Sequence, residues 1–184
     1  TVIPAFGLTI GQNVLIKKTN NTFTGNAIYT LWVCDNLFID IKGRLEGYTN
    51  PYTFSAGDDG IRIWSPKRVF IDTPRLRYFG DSAMRIAAHS GDTDPDGAHD
   101  IVLRGADIRD SGQFSTTNTS GSKISFKRML VDGGYFDNLN SFKCASRGPG
   151  TGRLIFRDAF FTNMDTPAIE PDGPSDIHIL NCKV

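Results

Sequence analysis

A short apolar strand pattern recurs along the chain and constrains its fold more than any other feature. In each occurrence two apolar residues flank a central position, as in Val69-Phe70-Ile71 and Leu154-Ile155-Phe156. Successive occurrences are 23 residues apart, or 23 plus an insert of 7 or 9 residues. They begin at Val14, Leu37, Val69, Ile101, Ile124, Leu154 and Ile177. A fixed period of this length is typical of a repeat protein in which each unit stacks on the next.

Two further apolar strands recur inside each unit. A second apolar position follows at Leu45, Leu76, Ile108, Val131, Phe161 and Val184. A third strand closes each unit and begins at Ala27, Ile61, Met84, Phe114, Phe142 and Ala168. Three short alternating strands separated by Gly, Asp, Asn or Pro predict one coil of an all-β solenoid. A β-sandwich is disfavoured, because two-residue Asn-Gly or Asp-Gly loops between matched strands are missing.

This pattern resembles the parallel β-helix of the pectate-lyase-like superfamily, the fold of polysaccharide lyases, polygalacturonases and phage tailspikes. The resemblance extends from about Leu8 to Val184. It implies a single-stranded right-handed parallel β-helix of about seven coils, with three short strands per coil. We expect one β-helix domain over residues 1–184, as a fragment of a longer chain. Because the fold serves lyases, hydrolases, epimerases and adhesins, function has to be argued from the site.

The composition of the chain argues against several classes of partner. The 20 Lys and Arg residues balance the 20 Asp and Glu residues, so overall charge gives no support for a nucleic-acid partner. No run approaches 18 consecutive apolar residues, and we predict no membrane insertion. The cysteines Cys34, Cys144 and Cys182 lack CxxC spacing, which argues against a zinc site or a disulfide framework. We predict no metal and no cofactor.

Three inserts lengthen the repeat, and each adjoins a third strand. They lie within Glu46–Gly57, Ala88–Ala98 and Ala145–Gly152. Inserted loops of repeat proteins commonly build the binding face, so we predict a groove along the third strands. Successive side chains of a strand point to opposite sides, so the residues predicted to point outward are Arg62, Trp64, Arg85, Ser115, Lys143 and Glu170. The walls would carry Tyr48, Tyr52 and Phe54 on one side, and His89, Asp92, Asp94, Asp96 and His99 on the other.

Aromatic rings and charged groups along one groove suit a sugar chain. Rings stack on the apolar faces of sugars, and arginine forms forked hydrogen bonds with carboxylates. The candidate substrate-binding residues are Arg62, Trp64, Arg85, His89, Lys143, Glu170 and Tyr52. The alternative is that the basic residues are ordinary solvated side chains on the outside of a sheet.

Carboxylates cluster where the chain enters the third strands. The segment Gly57-Asp58-Asp59-Gly60 is followed one coil later by Gly80-Asp81-Ser82, and the repeat places Asp58 on Asp81 and Asp59 on Ser82. Adjacent coils would bring these groups to about 5 Å. Clustered carboxylates repel one another, so at least one pKa should be raised. Asp58, Asp59 and Asp81 are therefore candidate acid and base groups for glycoside hydrolysis. The alternative is a turn role for Asp-Gly at a coil corner.

The carboxylate pattern resembles that of polygalacturonases, which carry Asn-Thr-Asp-Gly on one coil and Gly-Asp-Asp on the next. Asp59-Gly60 matches the end of the first motif, and Gly80-Asp81 matches the start of the second. Ser82 stands where the second motif has its last Asp, and the family's Gly-His-Gly and Arg-Ile-Lys motifs are absent. The acidic segment from His89 to His99 suggests a calcium site or a lyase base as alternatives to a solvated loop, but it lacks the last Glu of an EF-hand loop.

These observations predict an extracellular enzyme, secreted or carried on a virion tail, that cleaves a polysaccharide by acid–base hydrolysis. One alternative is a polysaccharide lyase that uses Arg85, Lys143 or His89 as a base beside a uronate. Another is a glycan-binding tailspike or adhesin segment without catalysis, and a third is a structural spacer.

The central position of the first strand predicts an oligomer. If the flanking residues point inward, an outward apolar stripe is formed by Phe38, Phe70, Val102 and Ile155, interrupted only by Ser125. A solvated sheet face normally alternates with polar residues, so a continuous apolar stripe implies a cover. Tailspike-like proteins pack three β-helices side by side, and we therefore predict a homotrimer through this stripe.

Overall fold

The protein is an all-β chain of parallel strands. A computed structural model describes residues 6–10, 15–17, 28–29, 34–41, 43–47, 59–88, 98–118, 127–145, 152–165, 167–172 and 175–184. The strands are Phe6–Ile10 (β1), Leu15–Lys17 (β2), Ile28–Tyr29 (β3), Cys34–Asp35 (β4), Leu37–Ile41 (β5), Arg44–Glu46 (β6), Asp59–Trp64 (β7), Pro66–Asp72 (β8), Arg75–Arg77 (β9), Ser82–Ala88 (β10), His99–Asn118 (β11), Lys127–Ala145 (β12), Gly152–Arg157 (β13), Phe160–Thr162 (β14), Ile169–Asp172 (β15) and Ser175–Leu180 (β16). None of the described segments is a helix able to cross a membrane.

The strands stack into three parallel faces, and β11 and β12 each continue around the corners through all three. The first face stacks β1, β5, β8, β11, β12, β13 and β16. The second face stacks β2, β6, β9, β11, β12 and β14. The third face stacks β3, β7, β10, β11, β12 and β15. The predicted fold class, an all-β solenoid of stacked parallel coils, is confirmed, whereas the number of coils stays a prediction.

The sequence assigned the first unit to the wrong strands. Phe6–Ile10 pairs with Leu37–Ile41 on the first face. The predicted first-face strand at Val14 is wrong, because Leu15–Lys17 pairs with Arg44–Glu46 on the second face. An apolar pair around a central residue occurs on every face of a solenoid, so the pattern alone does not show which face a strand joins.

A second error concerns the strand predicted at Ile124–Phe126. Those residues lie outside the described ranges, and Met129 holds their place on the first face, between Ile101 and Leu154. Val131 consequently pairs with Phe156 on the first face, and Phe136 holds the second-face position predicted for Val131. The first-face spacing is therefore 31 or 32 residues as far as Ile101 and then shortens to 28, 25 and 23, instead of alternating between a fixed unit and inserts.

The third face agrees closely with its predicted register. Met84 pairs with Ile61 and with Phe114, and Phe114 pairs with Phe142. The two terminal strands are shifted by one residue, because Ile28 rather than Ala27 pairs with Ile61 and Ile169 rather than Ala168 pairs with Phe142. In β7 and β10 the predicted alternation is confirmed, because buried apolar residues alternate with the partly exposed Arg62, Trp64 and Arg85.

Inward side chains from all three faces fill one core. Ile39, Ile61, Ile71 and Leu76 have no exposed surface. Further along the stack the core is aromatic, with ring centroid distances between 4.8 and 6.5 Å among Phe136, Phe142, Phe156 and Phe161. Edge-to-face and stacked contacts of this kind add to the stabilisation that burial provides.

The corner between the second and third faces repeats a left-handed residue in successive coils. Tyr78, Asp110, Asn138 and Asn163 have φ between 49° and 62°. Asn and Asp tolerate this conformation better than most residues, because their short side chains hydrogen-bond locally. The Asn138 amide donates to the Asp110 carboxylate at 2.8 Å, which ties one coil to the next.

Candidate functional site

The outward positions of the third face form one aligned row. Arg62 pairs with Arg85, Arg85 with Ser115, and Ser115 with Lys143. Glu170 follows Lys143 in the same register. The row predicted from strand alternation is thus present in the backbone, with Trp64 two positions beyond Arg62 and beside Ala87.

Asp59 lies at the start of β7 and points into the stack. Its side chain has no exposed surface. The same alternation that turns Ile61 and Ile63 inward also turns Asp59 inward. Gly60 is required beside it, because a Cβ there would lie 2.4 Å from the Ala83 carbonyl oxygen and 2.9 Å from the Phe79 ring. Close packing of adjacent coils therefore explains Asp59-Gly60 better than the left-handed turn considered from the sequence.

Two arginines from neighbouring coils reach this carboxylate. Arg62 Nη1 lies 3.5 Å from Asp59 Oδ2, and Arg85 Nε lies 3.7 Å from Asp59 Oδ1. Arg85 also donates through Nη2 to Asp81 Oδ1 at 2.7 Å. The Arg85 guanidinium thus joins Asp59 and Asp81 into one cluster, which we call the acidic cluster together with Ser82.

Burial dominates the ionisation of Asp59. It raises the pKa of this carboxyl from its ordinary value of 3.8 to about 6, against the opposing effect of Arg85. Asp81 raises the pKa further, and Arg62 lowers it. The Ser82 hydroxyl is close enough to favour the ionised form slightly, yet neither Asp59 oxygen accepts a hydrogen bond of normal geometry from a described residue. A buried carboxyl without such bonds readily holds a proton near neutral pH.

Asp81 has a different environment although it is also buried. It lies just before β10, where Arg85 forms a short ion pair with it. The Ser82 hydroxyl accepts a hydrogen bond from Arg85 Nη2 at 3.1 Å, and Ser82 pairs with Asp59 in the register. Ser82 thus places a neutral hydroxyl, rather than a third carboxylate, between the two aspartates.

The exposed side of the cluster is aromatic and basic. The Arg62 guanidinium lies 4.6 Å from the centroid of the Trp64 ring, within the range of a cation–π contact. The Arg62 side chain is 23% exposed, and Trp64 is partly buried. An aromatic ring beside a guanidinium is an arrangement that can bind a sugar ring with a carboxylate.

The remaining candidates are placed only in part. Glu170 accepts a hydrogen bond from the Ser141 hydroxyl at 3.0 Å, and the backbone of Lys143 lies beside it in register. His99 begins β11 in register with Lys67 and Lys127, so it belongs to the first face and not to the groove wall. The predicted residues outside the described ranges are Asp58, Tyr52, His89, Tyr48, Phe54, Asp92, Asp94 and Asp96.

Sequence reasoning assigned the arginines to substrate and missed their contacts with the aspartates. Two signals were present. Asp59 has the inward parity of Ile61, which indicates burial, and a buried carboxylate needs a nearby cation. Arg85 follows Asp81 by four residues and stacks on Arg62, so both bases lie near the same corner.

Comparisons with protein-family models, with curated proteins and with solved structures each give no match for this chain. A function for this chain has therefore to be inferred from the geometry of the acidic cluster and of the third face.

Proposed function

We propose that the third face binds a polysaccharide and that the acidic cluster cleaves it by acid–base hydrolysis. The observation that carries this proposal is a pair of carboxyl groups on adjacent coils in unlike environments. Burial gives Asp59 a pKa of about 6, whereas Asp81 forms an ion pair with Arg85. A carboxyl group whose pKa is raised by burial, next to a carboxylate that is held by an ion pair, supplies the acid and the base that glycoside hydrolysis requires.

In this scheme Asp59 is the general acid. Its proton passes to the glycosidic oxygen as the bond between that oxygen and the anomeric carbon breaks. Asp81 is the general base, which takes a proton from the water that attacks the anomeric carbon. Each turnover thus leaves one new reducing end, and the proton that Asp81 received returns to Asp59 through solvent.

Substrate access depends on Arg62. Asp59 has no exposed surface, so a glycosidic oxygen reaches it only when the side chains above it move. A glycan carboxylate that binds Arg62 would draw this guanidinium away from Asp59. Because Arg62 lowers the pKa of Asp59, its withdrawal would strengthen the hold of Asp59 on its proton. An acidic polysaccharide would thus raise the pKa of Asp59 and favour its protonated form, which is the form that donates the proton.

The test is incubation with a panel of capsular and plant polysaccharides. Hydrolysis gives new reducing ends without new ultraviolet absorbance, whereas a lyase gives an unsaturated, absorbing product. Asp59→Asn and Asp81→Asn should each lower turnover by about a hundredfold or more, the usual contribution of one acid or base group. The matched control is Asp107→Asn, which removes an ion-paired aspartate on the second face. Full activity in both cluster variants on a substrate that the protein cleaves would refute the proposal.

A second candidate is glycan binding without cleavage, as in a tailspike or adhesin. The burial of both aspartates favours it, because Asp81 is only 5% exposed and Asp59 not at all. This candidate predicts that a polysaccharide binds without products, and that Trp64→Ala weakens binding while Asp59→Asn leaves it unchanged.

The sequence resemblance and the stacked parallel coils support placing the chain in the pectate-lyase-like superfamily. An extracellular location, by secretion or on a virion tail, follows from a polysaccharide substrate of this kind. The superfamily and the extracellular location are thus both part of what we propose.

A further inference from the structure

An apolar stripe runs along the outward side of the five central strands of the first face, between Gly7 in β1 and His178 in β16. Phe38 pairs with Phe70, Phe70 with Val102, Val102 with Leu130, and Leu130 with Ile155. The interruption predicted at Ser125 is absent, because Leu130 takes that place in the register. The rings of Phe38 and Phe70 stack with centroids 5.5 Å apart, and Phe38 is 40% exposed. We call these five residues the stripe.

Two ladders of charged residues border the stripe. The first ladder lies two positions before it and consists of Arg68, Asp100, Arg128 and Arg153, with the uncharged Asn36 beside Phe38. The second ladder lies two positions after it and consists of Asp40, Asp72, Arg104, Asp132 and Arg157. Both ladders contain charges of both signs and hold ion pairs between coils, such as Arg104 with Asp72 at 2.7 Å and Arg128 with Asp100 at 2.5 Å. The stripe is thus an apolar strip with a mixed-charge rim, the usual anatomy of a protein interface.

We infer that the stripe is the contact surface for a second copy of this chain. The charges argue for this partner, because a uniformly acidic or uniformly basic surface would meet like charges in both ladders. When two copies face each other in parallel, Arg68 meets Asp72 and Asp100 meets Arg104. Arg128 meets Asp132 in the same way, and only the last row opposes two arginines. Charge complementarity of this kind selects partner and register.

An antiparallel pair centred between Val102 and Leu130 is also complementary. Asp100 then meets Arg128, Arg104 meets Asp132, and Asp72 meets Arg157, with one clash between Arg68 and Arg153. The charges therefore favour a second copy as the partner, and experiment must decide whether the two copies run parallel or antiparallel. The homotrimer predicted from the sequence is a parallel case, because a threefold axis along the stack also brings the two ladders together at equal height.

The surface also has room for side chains from the other copy. A cleft of about 340 Å³ lies along the stripe at Val102, Leu130 and Ile155, and Arg128 and Arg153 form one wall. With coils about 4.8 Å apart and residues about 3.3 Å apart along a strand, the stripe and ladders cover roughly 400 Å². That area is about half of what a standard interface contributes per partner, so we expect weak association that reverses on dilution. This inference does not depend on the proposed glycan chemistry.

The test is sedimentation velocity on the 184-residue chain from about 1 to about 100 micromolar. We expect a dimer or trimer that dissociates on dilution and that Phe38→Lys converts to monomer. The matched control is Phe160→Lys, since Phe160 lies on the outward side of the second face and is 42% exposed. If Phe38→Lys loses the far-ultraviolet circular dichroism of the wild type, Val102→Glu takes its place.

A monomer at every concentration would overturn the inference, including the case in which another segment of the same chain covers the stripe. An oligomer that survives Phe38→Lys, or one that Phe160→Lys dissociates equally well, would also overturn it. Val102→Cys in a chain with Cys34, Cys144 and Cys182 changed to alanine gives the direction. Parallel copies cross-link through this cysteine alone, whereas antiparallel copies require Leu130→Cys as well.

Discussion

Burying Asp59 costs the folded state free energy whenever the carboxyl group is ionised. The folded pKa of about 6 exceeds the ordinary 3.8, so the folded chain binds more protons than the unfolded chain between these values. The contribution of Asp59 to stability is therefore fully present below about pH 4 and is lost as pH rises through about 6. The shift corresponds to roughly 3 kcal/mol at most. Buried groups with strongly shifted pKa values cluster at functional sites, and this is the residue-scale argument for the proposed site.

Asp59→Asn should therefore stabilise the protein at pH 8 and change its stability little at pH 4. Asparagine removes the buried charge while keeping the shape, and we expect a gain of about 1–3 kcal/mol in the free energy of unfolding at pH 8. Urea denaturation at both pH values measures it. Asp107→Asn, in an ion pair with Arg77 on the second face, should give no such gain. A variant less stable than the wild type at pH 8 would show that the arginines outweigh burial.

At the scale of elements, close contact between neighbouring coils fixes β7 and β10. Gly60 in β7 lies against both the Ala83 carbonyl and the Phe79 ring of the next coil, so any side chain there pushes the coils apart. The same contact holds Asp59 at the start of β7 beside Ser82 at the start of β10. The geometry of the acidic cluster is thus a consequence of strand packing.

Gly60→Ala should destabilise the protein by about 3 kcal/mol, the upper range for overpacking, because the new methyl group meets rigid backbone. Gly133→Ala is the comparison: Gly133 has φ of 67° but nothing within 4 Å of an added Cβ, so only about 1–2 kcal/mol of backbone strain is expected. Thermal or urea unfolding gives both values. A Gly133→Ala cost equal to or larger than that of Gly60→Ala would contradict this account of the packing.

The aromatic part of the core gives a second element-scale prediction. Phe156 is fully buried, and its ring meets that of Phe142 edge to face at 4.8 Å. Phe156→Ala should cost about 3–5 kcal/mol. Phe160→Ala, at an exposed ring on the second face, should stay within about 0.5 kcal/mol of the wild type. Similar costs for both variants would mean that Phe156 does not lie in the core.

The sequence predicted most positions of all three faces, and its larger errors, at Val14, Ile124–Phe126 and Val131, have a physical reason. On the third face Arg62, Arg85 and Lys143 alternate with large apolar residues, so polarity marks the inward and outward positions. On the first face the outward residues are apolar as well, and alternation no longer separates Met129–Val131 from Ile124–Phe126. The spacing of Arg85 from Asp81 indicated that both lie near one corner, but the distances from Arg85 to the two aspartates depend on how the coils are offset there.

At the scale of the whole molecule, the solenoid assigns different chemistry to different faces. Each coil contributes one residue to each outward column of a face, so a surface is built by repeating a residue type along one column. The first face repeats Phe38, Phe70 and Leu130 between charged ladders, whereas the third repeats Arg62 and Arg85 beside buried carboxyl groups. Self-association and glycan chemistry can therefore occupy separate sides of one stack.

Asp59 is the buried acid on which the proposed chemistry most depends, and the ionisation of this residue can be followed directly at its carboxyl carbon. The measurement is a ¹³C NMR titration of the aspartate carboxyl signals in labelled protein, with the Asp59 signal assigned by its loss in Asp59→Asn. We expect this signal to titrate with a pKa of about 6, well above the ordinary 3.8. A pKa at or below 3.8 would contradict the account, because Asp59 would then be an ordinary ion-paired carboxylate with no proton to donate.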